Sequence, residues 1–308
     1  MGNSSCCGVV LSGTEKSTVT DVAVQLIDVT KSYGRRDALR DCTVAIPRGR
    51  VAAVVGSNGA GKSTMLRIMA GLTPLSSGGL TVLGESGPAQ SAPRLARVGY
   101  LDQDRPLFRN FRVVEMLRAA SHANERWNEE LAREHLRGLG IDLDQRIRDL
   151  SGGQHAQVAL SICLACEPEL LILDEPAAAL DPAARHDLLQ LLMQQVSGGD
   201  VTVVLSTHAL EDVVAICDYL IVMAGGRVVV ADDLEFILQS HRLVRAGFGE
   251  RRWPDGAVVI QDQRGVRDGV ILLRLELPVA PGECDFEEPT LDEIVLAYMR
   301  RGATGVTS

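Results

Sequence analysis

The chain has 308 residues, of which 46% are apolar and 23% charged, with a formal net charge of -9. So much apolar material builds a substantial core and excludes a disordered chain. The acidic balance gives no global attraction to nucleic acid or anionic lipid.

The length fits one large domain with a small appendage, or two modest domains. Residues 1–22, "MGNSSCCGVVLSGTEKSTVTDV", lack the basic start and long apolar centre of a secretory signal, and read as a disordered tail. They match an acylation pattern only in part, because Cys6 stands where Ser or Thr is wanted. "VAVQLIDVTKSYG" and "CTVAIPRGR" then read as short strands with turn residues between them. Apolar runs of another kind follow: "VAAVV" ending at Gly56, "LLIL" ending at Asp174 and Glu175, and "VTVVLS" ending at Thr207 and His208. Unbroken apolar strands fit a parallel sheet buried on both faces. Helical patterns alternate with them, over Ser63 to Gly71, Ser151 to Ala165 and Pro182 to Val196. Ligands of such sheets sit beyond the carboxyl ends of the strands, and each run carries polar residues there.

Between Asp104 and Leu150 a charged, helix-rich stretch reads as a helical subdomain. After Ser240 the texture changes: "DGAVVIQDQ" and "GVILLRLEL" read as strands, "PVAPGECDFEEP" as a linker, and "TLDEIVLAYMRR" as a helix capped by Thr290. The division expected is therefore a tail at 1–22, a main domain at 23–240 with its helical subdomain at about 104–150, and a small α+β accessory domain at 241–308. The seven cysteines form no disulfide framework. Cys163 and Cys166 lack the second pair that a zinc site needs and read as small buried hydrophobes in a reducing compartment. The longest apolar candidate for a span, "VVAICDYLIVMAGG", is broken by Asp218 and ends in Gly225 and Gly226. A membrane span takes about 20 apolar residues.

"GSNGAGKST" (Gly56, Ser57, Asn58, Gly59, Ala60, Gly61, Lys62, Ser63, Thr64) matches the P-loop pattern, with a strand before it and a helix after. Its glycines let backbone N–H groups close on phosphate, and the helix start adds the positive end of its dipole. Lys62 can set a point charge on the β and γ phosphates of ATP, and the Ser63 hydroxyl can ligate Mg²⁺. Asp174 can hold the same ion, and Glu175 is a candidate general base. Ser151, Gly152 and Gly153 of "LSGGQ" make a second helix start of the anion-binding kind.

Together these segments resemble the ATP-binding subunits of ABC transporters, from about Val24 to Leu238. "GSNGAGKST" is similar to that family's Walker A, "LLILDEP" to its Walker B and "LSGGQ" to its signature. The resemblance implies an α/β P-loop cassette with a mixed sheet, Tyr33 stacked on adenine, and Gln103 at the Q-loop as a metal ligand and catalytic residue. It further implies Asp181 at the D-loop and His208 as the switch histidine. It also implies pairing of two cassettes, homodimer or heterodimer, in which Ser151, Gly152, Gly153 and Gln154 of each complete the partner's ATP site. The expected function is MgATP hydrolysis driving a separate permease with transmembrane helices, of the bacterial drug, antibiotic or polysaccharide export type. The expected place is cytoplasmic, on the inner face of the membrane. The alternative is a soluble ABC ATPase acting on ribosomes or nucleic acid, although no nucleic acid partner is expected; the basic pair Arg251 and Arg252 reads as an ordinary turn. The chain departs from the family at "HAQ", where a basic residue commonly follows the signature glutamine, and at "AAALD", where a small hydroxyl residue often precedes Leu-Asp.

Overall fold

The computed structural model describes residues 22–86, 96–178, 180–196, 201–246, 253, 256–264, 269–275 and 286–304. The N-terminal tail lies outside the described residues except for Val22, which opens the first strand. Arg251, Arg252 and most of the "PVAPGECDFEEP" linker also lie outside them.

Strands β1 (Val22–Tyr33) and β2 (Arg36–Pro47) pair antiparallel, and β4 (Ser77–Val82) and β5 (Glu85–Ser86) complete a four-stranded sheet in the order β2-β1-β4-β5. β1 fills the first stretch that was read, whereas β2 begins at Arg36, ahead of the "CTVAIPRGR" pattern, because register shifts near Asp41 break the alternation that reveals a strand. Asp28 and Asp41 take left-handed backbone (φ 50° and 46°), and each carboxylate accepts from a threonine hydroxyl across the pair: Thr43 Oγ1 to Asp28 at 3.0 Å, Thr30 Oγ1 to Asp41 at 3.2 Å.

The central sheet runs β10-β9-β3-β8-β7-β6. Its strands β3 (Val51–Gly56), β6 (Val98–Leu101), β7 (Leu170–Asp174), β8 (Thr202–Ser206) and β9 (Tyr219–Ala224) are parallel, and β10 (Arg227–Asp233) is antiparallel to β9. The unbroken apolar runs have the physical reason expected of them. In β3, Val51, Ala53 and Val55 enter one core while Ala52 and Val54 enter the other; β7 and β8 divide likewise. The run "VVAICDYLIVMAGG" contributes β9, whose Leu220 and Val222 face the first core and whose Ile221 and Met223 face the second.

Helix α1 (Lys62–Met69) covers one face with Met65, Leu66 and Met69. The helical subdomain holds α2 (Val113–Ala123), α3 (Glu129–Gly138) and their own small core around Leu117, Leu136 and Ile147. Helix α4 (Gly152–Ala165) belongs to both layers: Val158 and Ala165 enter the subdomain core, and Ala159, Leu160 and Leu164 enter the sheet core. Helix α5 (Pro182–Val196) buries Leu188 and Leu192 on that same sheet face. Short helices α6 (Leu210–Ile216) and α7 (Leu234–Ser240) flank β9 and β10.

Residues after 240 add a three-stranded antiparallel sheet, β11-β13-β12, from β11 (His241–Ala246), β12 (Val258–Arg264) and β13 (Gly269–Arg274). The last helix, α8 (Leu291–Thr304), is closed at its start by a capping box: Glu293 N–H donates to Thr290 Oγ1 at 3.3 Å, and Thr290 N–H donates to Glu293 Oε2 at 2.9 Å. This segment does not keep a wholly separate core. Leu291, Ile294, Val295 and Tyr298 of α8, with Leu243, Ile260 and Leu272, join the cluster that contains Val51 and Leu205. Gly302 lies so close to β9 that a β-carbon there would come within 2.5 Å of Ala224 Cβ.

His241 ties these parts together. It is buried, its Nδ1 lies 2.6 Å from the Ile237 carbonyl, and its Nε2 lies 2.9 Å from the Tyr298 hydroxyl. Burial pulls its pKa from the ordinary 6.5 down to about 4, with Arg274 and Arg242 adding to the fall and the Ile237 carbonyl opposing it. A base whose folded pKa is depressed leaves the unfolded chain holding more protons between the two values, so stability falls as pH drops from 6.5 towards 4. The difference is worth about 3 kcal/mol at its limit. Urea unfolding across this range should show that loss, and His241→Gln should flatten it; an unaltered acid slope in the variant would contradict the assignment.

Candidate nucleotide site

Four neighbouring strands deliver polar groups to one edge of the central sheet. Across it stand the segment after β6 (Asp102, Gln103), the end of β7 (Asp174, Glu175), the end of β8 (Ser206, His208) and the loop after β3. Asp174 and Ser206 are register partners, as are Val54 and Ser206, so the carboxylate and the glycine-rich loop are set side by side by backbone pairing.

The loop Gly56–Gly61 turns directly into α1. Gly61 holds φ 105°, and a β-carbon there would stand 2.7 Å from the Ala38 carbonyl oxygen and from Leu39 Cδ2, so only glycine fits this approach of loop to β2. Lys62 is 6% exposed; its Nζ donates to the Gly56 carbonyl at 2.9 Å and to the Ser57 carbonyl at 3.4 Å. Burial lowers its pKa, and the carboxylates of Glu175 and Asp174 oppose that fall. Ser63 and Thr64 follow on the first turn of α1, where backbone N–H groups lack helical partners.

Asp174 is 1% exposed and its Oδ1 accepts from the Ser206 hydroxyl at 2.6 Å; the same hydroxyl accepts from the Glu175 N–H at 2.9 Å. Glu175 sits in left-handed backbone, φ 49°. Its Oε1 meets His208 Nε2, and its Oε2 accepts from Gln103 Nε2 at 3.4 Å. Lys62, Gln103, Asp174, Glu175 and His208 are thus one constellation. Tyr33 ends β1 with 54% of its surface exposed and Lys31 Nζ 4.9 Å from its ring centre.

The signature residues are placed differently. Ser151 caps α4: its Oγ accepts from the Gln154 N–H at 3.1 Å, and its own N–H donates to Gln154 Oε1 at 3.0 Å. Ser151 and Gly152 are exposed, and none of the hydrogen bonds of this helix start runs to Lys62, Asp174 or Glu175. Asp181 caps α5, its Oδ1 accepting from the N–H groups of Ala183 and Ala184 at 3.0 Å each.

The ABC transporter family profile matches residues 39–178. Nod factor export ATP-binding protein I of Sinorhizobium fredii is 36% identical over 216 residues, 68% of this chain and 63% of that protein. The protein of the same name from Rhizobium johnstonii is 36% identical over 216 residues, 68% of this chain and 69% of its own length. The chain belongs to the ABC transporter ATP-binding family. Solved cassettes share the fold: the ATP-binding subunit of an ABC transporter superposes with a TM-score of 0.63 at 29% identity, covering 70% of this chain and 91% of that one. A dimeric ATP-binding cassette in a post-hydrolysis state, bound to ADP and Pi, superposes with a TM-score of 0.62 at 25% identity, covering 68% and 98%. The match spans less than two-thirds of the Sinorhizobium fredii relative.

The sequence pattern missed three residues of this cassette. Ser206 ends an apolar strand beside Asp174, a position legible only once β7 and β8 are known to be neighbours. The Arg36 guanidinium stands over the glycine-rich loop, 3.9 Å from where a β-carbon of Gly59 would be. Arg105 lies against the turn that follows Glu175, and no motif marks it. Cys163 lies on α4 and Cys166 is its C-cap; the Cys163 thiol donates to the Tyr100 carbonyl at 3.5 Å, and burial pushes its pKa up to about 12. Among the described residues no group of His, Cys, Asp and Glu forms a further metal cluster, and no helix is long and apolar enough to cross a membrane.

Proposed function

We propose that this cassette hydrolyses MgATP as the motor subunit of an exporter, with two cassettes closing on the nucleotide and a separate permease carrying the spans. The observation that carries the reading is the split of the machinery: Lys62, Asp174, Glu175, Gln103 and His208 share one edge of the sheet, while Ser151 and Gly152 stand exposed at the start of α4 with none of their hydrogen bonds running to that edge. A second copy supplies the missing half. The names of the relatives, Nod factor export ATP-binding proteins, support the export direction.

The residues present fit the substrate and its ion. Asp174, the Ser63 hydroxyl and the Gln103 side-chain oxygen are hard oxygen donors of the sort Mg²⁺ takes. When bound, that ion neutralises charge on the outer phosphates. Lys62 exchanges its loop carbonyls for phosphate oxygens, and the loop Ser57, Asn58, Gly59, Ala60, Gly61 with the helix start at Lys62, Ser63 and Thr64 offers backbone N–H groups to them. The exposed Tyr33 ring offers a face to adenine. Glu175 takes a proton from water as the water oxygen bonds to the terminal phosphorus and the bond to the ADP oxygen breaks. His208 and Gln103 hold the two carboxylate oxygens in place. Across the interface, Ser151 and the N–H groups of Gly152 and Gly153 meet the same phosphate, with Gln154 beside them, and Asp181 lines the approach. Loss of that phosphate removes the contact that favours the closed state.

The permease-facing surface is the segment after Gln103. Phe108, 63% exposed, packs against Phe111 with ring centres 5.2 Å apart and planes tilted by 40°, flanked in sequence by Arg109 and Arg112. Such a patch suits a short amphipathic helix carrying acidic residues, and this supports a position on the inner face of the cell membrane.

Ser151→Arg tests the trans site. Losing the cap costs the fold about 1 kcal/mol, so the protein survives, whereas a bulky cation in the interface blocks closure. ATP binding by the single chain should persist while ATP-dependent dimer and turnover vanish. In the wild type, a multi-span protein should co-purify in detergent; ribosomes or DNA in its place would overturn the transport reading.

A further inference from the structure

Arg105 stands two residues beyond Gln103, with left-handed backbone (φ 45°) and 8% exposure. A buried guanidinium costs several kcal/mol unless it is paired, and such groups ordinarily face a carboxylate. This one does not. Its Nη2 donates to three backbone carbonyls, those of Glu175 at 3.2 Å, Pro176 at 2.9 Å and Ala178 at 2.9 Å, and its Nε is buried without a partner. Burial pulls its pKa below the usual arginine value. Two strained residues, Arg105 and Glu175, thus lock onto each other across the site, each an arrangement that persists only where its surroundings over-determine it.

The Glu175 peptide is consequently held at both ends. Its N–H donates to Ser206 Oγ at 2.9 Å, and its carbonyl accepts from Arg105. On the other side of Gln103, Asp102 pairs with Arg67 of α1 at 3.0 Å. The segment 102–105 is stitched both to the phosphate-loop helix and to the Glu175 turn. It leads on to Leu107, which packs against both the sheet core and the subdomain core.

We propose that Arg105 is a positioning residue for Glu175: it makes the setting of that carboxylate depend on where the segment from Gln103 to Phe111 lies. Displacement of the aromatic patch then pulls on the Glu175 carbonyl through one side chain. The assignment rests on the reading of Glu175 as the proton acceptor.

The test uses the full chain carrying Arg105→Met, with Arg105→Lys beside it and Glu175→Gln as control. Without nucleotide, amide hydrogen exchange over 175–178 should quicken about tenfold in Arg105→Met, while exchange in β3 and β9 stays at the wild-type rate. With ATP, kcat should fall about tenfold to a hundredfold, the loss expected of a misplaced catalytic group, and KM should stay within about twofold. The lysine variant should recover part of both, since one ammonium reaches fewer carbonyls; it carries the test if the methionine variant fails to fold. Wild-type exchange at 175–178, exchange quickened throughout the chain, or KM rising in step with the loss of kcat would each overturn the assignment. Turnover that requires Glu175 but ignores Arg105 overturns the assignment alone; turnover that Glu175→Gln leaves intact overturns the hydrolytic reading and the assignment with it.

Discussion

Glu175→Gln should bind ATP normally, lose turnover by about a thousandfold, and accumulate as an ATP-dependent dimer. The amide has the shape of the carboxylate and keeps a contact with His208 and Gln103, so the pocket remains formed. It cannot accept a proton at neutral pH, so on the proposed reading the terminal phosphate shared by two cassettes is not removed. Light scattering with saturating MgATP measures the dimer, and phosphate release measures turnover. A monomer under these conditions would contradict both the base role and the shared site.

Lys62→Ala should produce the other large effect: turnover down by at least about a hundredfold, from loss of a charge aimed at the transferred phosphate. Nucleotide affinity should fall by about tenfold, close to 1.4 kcal/mol. Stability should hardly change. Removing a desolvated ammonium relieves a burial cost, and freeing the Gly56 carbonyl restores a cost of about 1 kcal/mol, so the two nearly cancel. A melting midpoint within a few degrees of the wild type, alongside lost activity, would separate a phosphate role from a packing role; normal turnover would refute it.

The sheet was legible because its strands are buried on both faces, which leaves unbroken apolar runs such as "LLIL" that end at Asp174. Motif spacing then located Lys62, Glu175 and His208 on one edge. Other parts carried no such mark. The irregularity at Asp41 interrupts alternation and hid the first half of β2, from Arg36 to Asp41. "TLDEIVLAYMRR" announces an amphipathic helix with a cap, but amphipathicity names no address, and the face it covers was invisible. Ser206 and Arg105 bond to backbone groups of Glu175, and a backbone partner leaves no pairing pattern in sequence.

Helix α8 has a practical implication for anyone shortening this protein. A fragment ending at residue 240 keeps every motif and would pass inspection as a minimal ATPase. Yet it would strip Leu291, Ile294 and Val295 from the sheet and bare an oily strip along β9. Such a fragment invites clumping in solution, and the tight seat of Gly302 on Ala224 shows how little slack that lid leaves for a bulkier graft.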